Sequence, residues 1–145
     1  MRALSVTAFA ALLVACGGGP VTGFVYGESF RTARVDGLDC AYCGGRHQVF
    51  AKLHDASGAT ITINLDPDLD VDDVDLTPPA SGHRLLASVV WEHEGPHRTT
   101  SGTLHVDARG IAHGRMKGCI DAFFEDGGHA SGCFDVALEY SAGYE

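Results

Sequence analysis

The clearest fold signal in this chain is the stretch CIDAFFEDGGHASGCFDVAL, residues 119–138. Apolar side chains occupy alternate positions on both sides of a Glu-Asp-Gly-Gly turn at 125–128 (Ile120, Ala122, Phe124; Phe134, Val136, Leu138). Period-two alternation is typical of a strand with one buried face, and the turn residues favour a chain reversal. The stretch therefore predicts an antiparallel hairpin with one apolar face.

The two cysteines of this hairpin lie on the opposite face from its apolar residues. A register that places Cys119 opposite Cys133 also puts both side chains on the same side of the sheet. A bridge between them closes a loop of about 15 residues and is worth roughly 3 kcal/mol. We predict this pair, which leaves Cys40 to bond with Cys43, although four cysteines allow three connectivities.

Short strand-like runs continue outward from this hairpin through the rest of the chain. They cover residues 21–26, 30–35, 46–54, 59–65, 83–93 and 103–107, with turns at 40–45, 55–58, 94–96 and 108–110. The runs 46–54 and 59–65 form a second predicted hairpin, and Trp91 is expected in the core. Residues 66–82 contain three prolines and many aspartates, which predicts a long connector. The pattern predicts an all-β fold: one antiparallel β-sandwich or barrel-like domain over residues 21–145.

The charge balance disfavours one class of partner. The chain has 145 residues, with 19 Asp and Glu against 10 Lys and Arg, for a formal net charge of −9. An acidic surface repels phosphate backbones, so we expect no nucleic-acid partner.

The first residues have the pattern of an export signal. Arg2 precedes an apolar run, residues 3–15, that is too short to span a membrane comfortably. The run ends in Leu13-Val14-Ala15-Cys16, which resembles the lipobox of bacterial lipoproteins. The resemblance implies removal of residues 1–15 as a signal peptide and a lipid on Cys16 that anchors the protein to a membrane. An ordinary signal peptide cleaved elsewhere is the alternative.

Two further features agree with this resemblance. Lipid on Cys16 leaves an even set of four cysteines for an oxidising compartment. Residues 16–20, with three glycines, provide a flexible tether. The layout resembles that of small uncharacterised envelope lipoproteins, with a Val-x-Gly-x-Val-x-Gly opening at 21–27 and a Ser-Gly-x-Phe-Asp segment at 131–135. It brings no catalytic residues. An Asp directly after the lipidated cysteine would resemble an inner-membrane retention signal. This chain has Gly17 at that position, so the outer membrane is favoured.

Two groups of residues are candidate metal ligands. Carboxylates at alternate positions of the connector offer the hard oxygen donors that calcium prefers (Asp66, Asp68, Asp70, Asp72). The spacing fails the EF-hand pattern, and a solvated acidic connector is the alternative. His93 and His97 flank the turn at 94–96 and could converge on a transition metal, although scattered surface histidines are the simpler interpretation. We expect no required cofactor, with Ca²⁺ as the alternative.

The Cys40-x-x-Cys43 spacing permits thiol–disulfide exchange. No helical pattern surrounds it, so a structural bridge is the simpler interpretation. The sequence also contains no Gly-x-Ser-x-Gly nucleophile elbow and no glycine-rich phosphate-binding loop. The sequence therefore predicts a lipid-anchored envelope protein, a non-catalytic structural or binding module, with a metal-binding protein or a redox protein as alternatives.

Overall fold

A computed structural model of the chain describes residues 19–78 and 86–143. These residues form ten strands and one short helix. In chain order they are β1 (Thr22–Val25), β2 (Glu28–Cys43), β3 (Arg46–Asp55), β4 (Thr60–Leu65), β5 (Asp73–Asp75), β6 (Ala87–Glu92), β7 (Pro96–Val106), α1 (Ala108–Ala112), β8 (Arg115–Phe124), β9 (His129–Ala137) and β10 (Glu139–Ser141).

Eight of the strands form a closed antiparallel barrel. Neighbours follow the order β1-β9-β8-β7-β6-β4-β3-β2, and β1 also pairs with β2, which completes the ring. The short strand β5 pairs with β7, and β10 adds to β2 in parallel. The predicted all-β, barrel-like fold is confirmed, as a barrel rather than a sandwich.

Alternating apolar side chains fill the barrel. In the hairpin β3–β4, Ala51 lies opposite Ile63 and both are buried, as the sequence predicts. Trp91 is 1% exposed and meets the Phe30 ring edge-on, with 5.5 Å between ring centroids. An eight-stranded barrel is just wide enough for side chains to fill, so the interior is a packed core.

The hairpin β8–β9 has the predicted register. Cys119 lies directly opposite Cys133 on the outer face, and the sulfurs are at bonding distance. The amide of Cys133 donates to Gly19 O at 2.8 Å, on the side away from β8. The two cysteines therefore occupy a non-hydrogen-bonded pair, where strands approach most closely. Cys40 and Cys43 form the second predicted pair.

Several sequence-based boundaries are wrong. The turn expected over residues 40–45 is confined to Gly44 and Gly45, whose φ angles are 61° and 83°, so β2 continues through Cys43. The turn expected at 108–110 is the helix α1, because the Asp107 side chain caps the amides of Arg109 and Gly110. The connector contains β5.

The strand expected to begin at residue 103 begins at Pro96 instead. Gly102 makes this possible, because a Cβ there would lie 2.0 Å from Asp121 O on β8. The apolar run expected over 83–93 forms a strand at Ala87–Glu92, and its residues 83–85 lie outside the described residues. So do the expected signal peptide and Cys16. Within residues 19–78 and 86–143, no helix has the length and apolar character needed to cross a membrane.

The outer-face disulfide leads to a stability prediction. A Cys119→Ser, Cys133→Ser double variant should lose about 3 kcal/mol of unfolding free energy, because the open loop gains entropy in the unfolded chain. Urea denaturation without reductant measures the loss. Ala137→Ser, which adds a hydroxyl at another exposed position of β9, should stay within about 0.5 kcal/mol of wild type. Equal midpoints for the double variant and wild type would contradict the prediction.

Candidate functional site

One end of the barrel carries four tight turns, and we call this end the mouth. Because the strands are antiparallel, the turns at 26–27, 56–59, 93–95 and 125–128 all lie there. The opposite end carries the turn at 44–45, the connector and α1. Openings of β-barrels are frequent ligand sites, so the mouth is the part of the fold to search first.

Two turns at the mouth contain strained backbone. Tyr26 and Gly27 have φ angles of 49° and 75° and connect β1 to β2 as a two-residue hairpin turn. Glu94 has a φ angle of 69° and precedes Gly95. Among the described residues, Tyr26 and Glu94 are the two non-glycine residues with positive φ. Such backbone carries a conformational cost, and its presence at one end points to a role for these side chains.

Aspartates join the turns of the mouth to their neighbours. Asp126 accepts hydrogen bonds from the amides of Tyr26, at 2.7 Å, and Gly128, at 2.9 Å. Asp55 accepts from the amides of Ser57, at 2.6 Å, and Arg31, at 2.7 Å. These contacts tie the turns after β8 and β3 to the beginning of β2, so the rim of the mouth is held in place by carboxylate–amide bonds.

A surface cleft of about 250 Å³ opens between the turns at 26–27 and 93–95. The ring of Tyr26 stacks on His97 with 4.0 Å between centroids. His97 lies opposite the buried Trp91, and Glu28 lies opposite the buried Val25, so both belong to the inward-facing rows of the barrel. The cleft is lined by residues from these two turns, which belong to opposite sides of the ring, and from their strands (Tyr26, Glu28, Trp91, His93, Glu94, His97).

An acid–base pair lies in this cleft. His93 Nδ1 is 2.6 Å from Glu28 Oε2, which is close enough for an ion pair when the imidazole is protonated. The angles between the two groups nevertheless miss hydrogen-bond geometry, so the buried Nδ1 has no hydrogen-bond partner among the described residues. A small rotation of either side chain brings the two groups into hydrogen-bond geometry. The Glu28 carboxylate is thus in contact with His93 without being saturated by it.

The electrostatic environment of the cleft is acidic. Burial raises the pKa of the Tyr26 phenol, and the charges of Glu125 and Asp126 raise that pKa further. The phenol therefore remains protonated at neutral pH. Its oxygen is buried and has no hydrogen-bond partner among the described residues.

The structure brings the two predicted histidines together and keeps the predicted aspartates elsewhere. His93 and His97 line the same cleft. In the connector, Asp66 accepts from the amide of Asp68 at 2.9 Å, and Asp72 accepts from the amide of Ala108 at 3.3 Å. The side chains of Asp68 and Asp70 are exposed. Across residues 19–78 and 86–143, no three His, Cys, Asp or Glu side chains are grouped as metal ligands.

Sequence reasoning missed two residues of the cleft. Tyr26 and Glu28 were not identified, because they carry no motif and reach His97 and His93 through barrel closure. The Tyr-Gly pair between two strand-like runs was the available signal, since a two-residue turn with glycine is typical of a tight hairpin.

Comparisons with known proteins give no relative from which a role could be carried over. No family model, no curated protein and no solved structure matches the chain. The site must be interpreted from its own geometry.

The rim aspartates predict an acid-dependent loss of stability. The amides of Ser57 and Arg31 lower the pKa of Asp55, so its stabilisation is complete above about pH 4 and disappears as pH falls through the folded-state pKa. Asp55→Asn should cost about 1 kcal/mol at pH 7, and its difference from wild type should shrink below about pH 4. Urea denaturation at a series of pH values measures this.

Asp70→Asn is the matched control, because it removes one negative charge from an exposed position in the connector. A cost for Asp55→Asn that is the same at pH 7 and pH 3, or that Asp70→Asn reproduces, would contradict the assignment.

Proposed function

We propose that this chain is a lipid-anchored protein of the bacterial cell envelope and that its barrel is a non-catalytic binding module. The observation that carries the binding role is the cleft of about 250 Å³ at the mouth. It combines a stacked aromatic pair, two carboxylates and two imidazoles on a closed barrel. A rigid scaffold that presents a few polar groups around an opening is the usual arrangement of a small-molecule site.

The chemistry of the cleft favours binding over catalysis. The His93–Glu28 contact could orient a general base, but nucleophilic catalysis also needs a hydroxyl or thiol within reach of that base. Among the described residues that line the cleft there is no Ser, Thr or Cys, and the one hydroxyl, that of Tyr26, is buried. The residues therefore suit recognition of a polar ligand.

The anchor is proposed from the sequence. Acylation of Cys16 after loss of residues 1–15 would hold the protein at a membrane, with the outer membrane favoured, because several acyl chains anchor stably. Strand β1 begins at Thr22, on the side of Cys16 in the chain, and runs towards the mouth. Tyr26 follows the end of β1, so the mouth lies at the end of the strand away from Cys16. This direction favours a mouth that faces away from the lipid.

The redox alternative has weak physical support. Cys40 is fully buried and Cys43 is 5% exposed. Both lie on strand β2 rather than at a helix N-terminus, so neither a helix dipole nor solvent access favours attack on the disulfide. A structural bridge is the interpretation that we propose.

The proposed anchor predicts a specific mature protein. Protein extracted from native membranes should have the mass of residues 16–145 plus acyl chains, minus four hydrogens for two disulfides. Cys16→Ser should move the protein to the soluble fraction. Gly19→Ala is the control, because a Cβ at that tether residue meets no atom within 4 Å, and it should remain membrane-bound. A water-soluble protein that retains its leader would overturn the proposal.

The proposed module also predicts that metal removal has no effect on folding. The melting temperature of the purified protein should be the same with and without EDTA, because the packed core and two disulfides need no ion. Elemental analysis of the same sample checks the result. A bound divalent ion whose removal lowers the melting temperature would favour the metal-binding alternative, calcium at the connector or a transition metal at His93 and His97.

A further inference from the structure

We infer that the cleft at the mouth binds a small organic cation, an ammonium group with a short apolar substituent. This inference rests on the proposed binding function and names the ligand class of the same site. It depends on the charges, the aromatic rings and the size of the cleft.

The charges favour a cation. Glu28 and Glu94 line the cleft, and no Lys or Arg is among the described residues that line it. The Glu28 carboxylate is 46% exposed, so it can accept a second positive partner beside His93. Glu125 and Asp126 add negative potential from the neighbouring turn, as their effect on Tyr26 indicates. A cation is attracted to such a site, whereas an anion is repelled.

The aromatic rings favour an organic rather than a hydrated inorganic cation. Tyr26 and His97 form a stacked wall, and Trp91 closes the floor. Aromatic faces attract alkylammonium groups through the ring quadrupole and also remove their alkyl surface from water. A bare metal ion would instead need several oxygen or nitrogen ligands at fixed geometry.

The cleft is small for a ligand site. Its volume of about 250 Å³ lies below the roughly 300–1,000 Å³ of pockets for drug-sized molecules. The ligand is therefore of the size of one alkylammonium group with a few further carbons.

The chain contains its own reporter of this binding. Trp91 is the single tryptophan of the protein, and it lines the cleft. We propose a fluorescence titration of the full mature protein with choline, compared with its uncharged carbon isostere dimethylbutanol. Calorimetry on the same samples detects binding that leaves the fluorescence unchanged. Choline should bind saturably, and the neutral alcohol should bind at least about tenfold more weakly.

Two substitutions and one matched control locate the binding. Glu28→Gln and Glu94→Gln should each weaken choline binding about three- to tenfold, since each removes one attractive charge. Asp39→Asn is the control: Asp39 also lies on β2 and pairs with a histidine, with Oδ1 2.5 Å from His47 Nε2, but outside the cleft. It should change the affinity less than twofold. Having two cleft variants keeps the test valid if one of them fails to fold.

The outcomes separate the ligand class from the binding function. Equal affinities for choline and dimethylbutanol, with no effect of either Glu substitution, would overturn the cationic class and leave a binding cleft. Absence of saturable calorimetric binding of both compounds would overturn the inference, whereas the envelope location is decided independently by the mass and membrane fraction of the mature protein. Weakening by Asp39→Asn equal to that by Glu28→Gln would also contradict binding at the mouth.

Discussion

Closure of the barrel by strand β1 is the constraint on which the rest of the structure depends. Gly23 lies opposite Phe30 on one side and Ala130 on the other. A Cβ on Gly23 would come within 2.2 Å of His129 O, so the close approach of β1 to β9 requires glycine. This double pairing removes the free edges of the eight-stranded ring. It also carries Tyr26 to the position where its ring meets His97.

The acidic character of the chain has two uses at the mouth. Asp55 and Asp126 accept hydrogen bonds from backbone amides and hold the turns in place. Their negative charges are therefore partly compensated by amide groups of the fold. Glu28 and Glu94 face the cleft without amide partners of this kind among the described hydrogen bonds. Stability and recognition therefore rely on different carboxylates, and removing one set should leave the other function largely intact.

Local patterns predicted the parts of the fold that local physics determines. Period-two alternation around turns predicted the β3–β4 and β8–β9 hairpins. The bond between Cys119 and Cys133 was predictable because both side chains lie on the same face of β8–β9. The strand ends were less predictable. Residues 40–43 looked like part of a turn because Gly44 and Gly45 follow them, yet β3 and β10 hold them in a sheet. Similarly, the strand expected to begin at residue 103 continues through Gly102, and no local pattern indicates the close contact of Gly102 with β8.

The site was only half predictable for the same reason. His93 and His97 are near in sequence and flank one turn, so their convergence could be foreseen. Tyr26 and Glu28 meet them only because the ring closes, which no local pattern encodes. The connector aspartates as calcium ligands stay a prediction: their regular spacing suggested it, and in the fold Asp66 and Asp72 each accept a backbone amide.

Nuclear Overhauser effects from Gly23 test the central claim of closure most directly. A closed barrel gives cross-strand contacts from Gly23 to both Phe30 and Ala130 in the native protein in solution. Contacts to Phe30 alone would describe an open sheet with a free β1–β9 edge. In that sheet Tyr26 and His97 would not be held together, and the mouth cleft would not exist as a site.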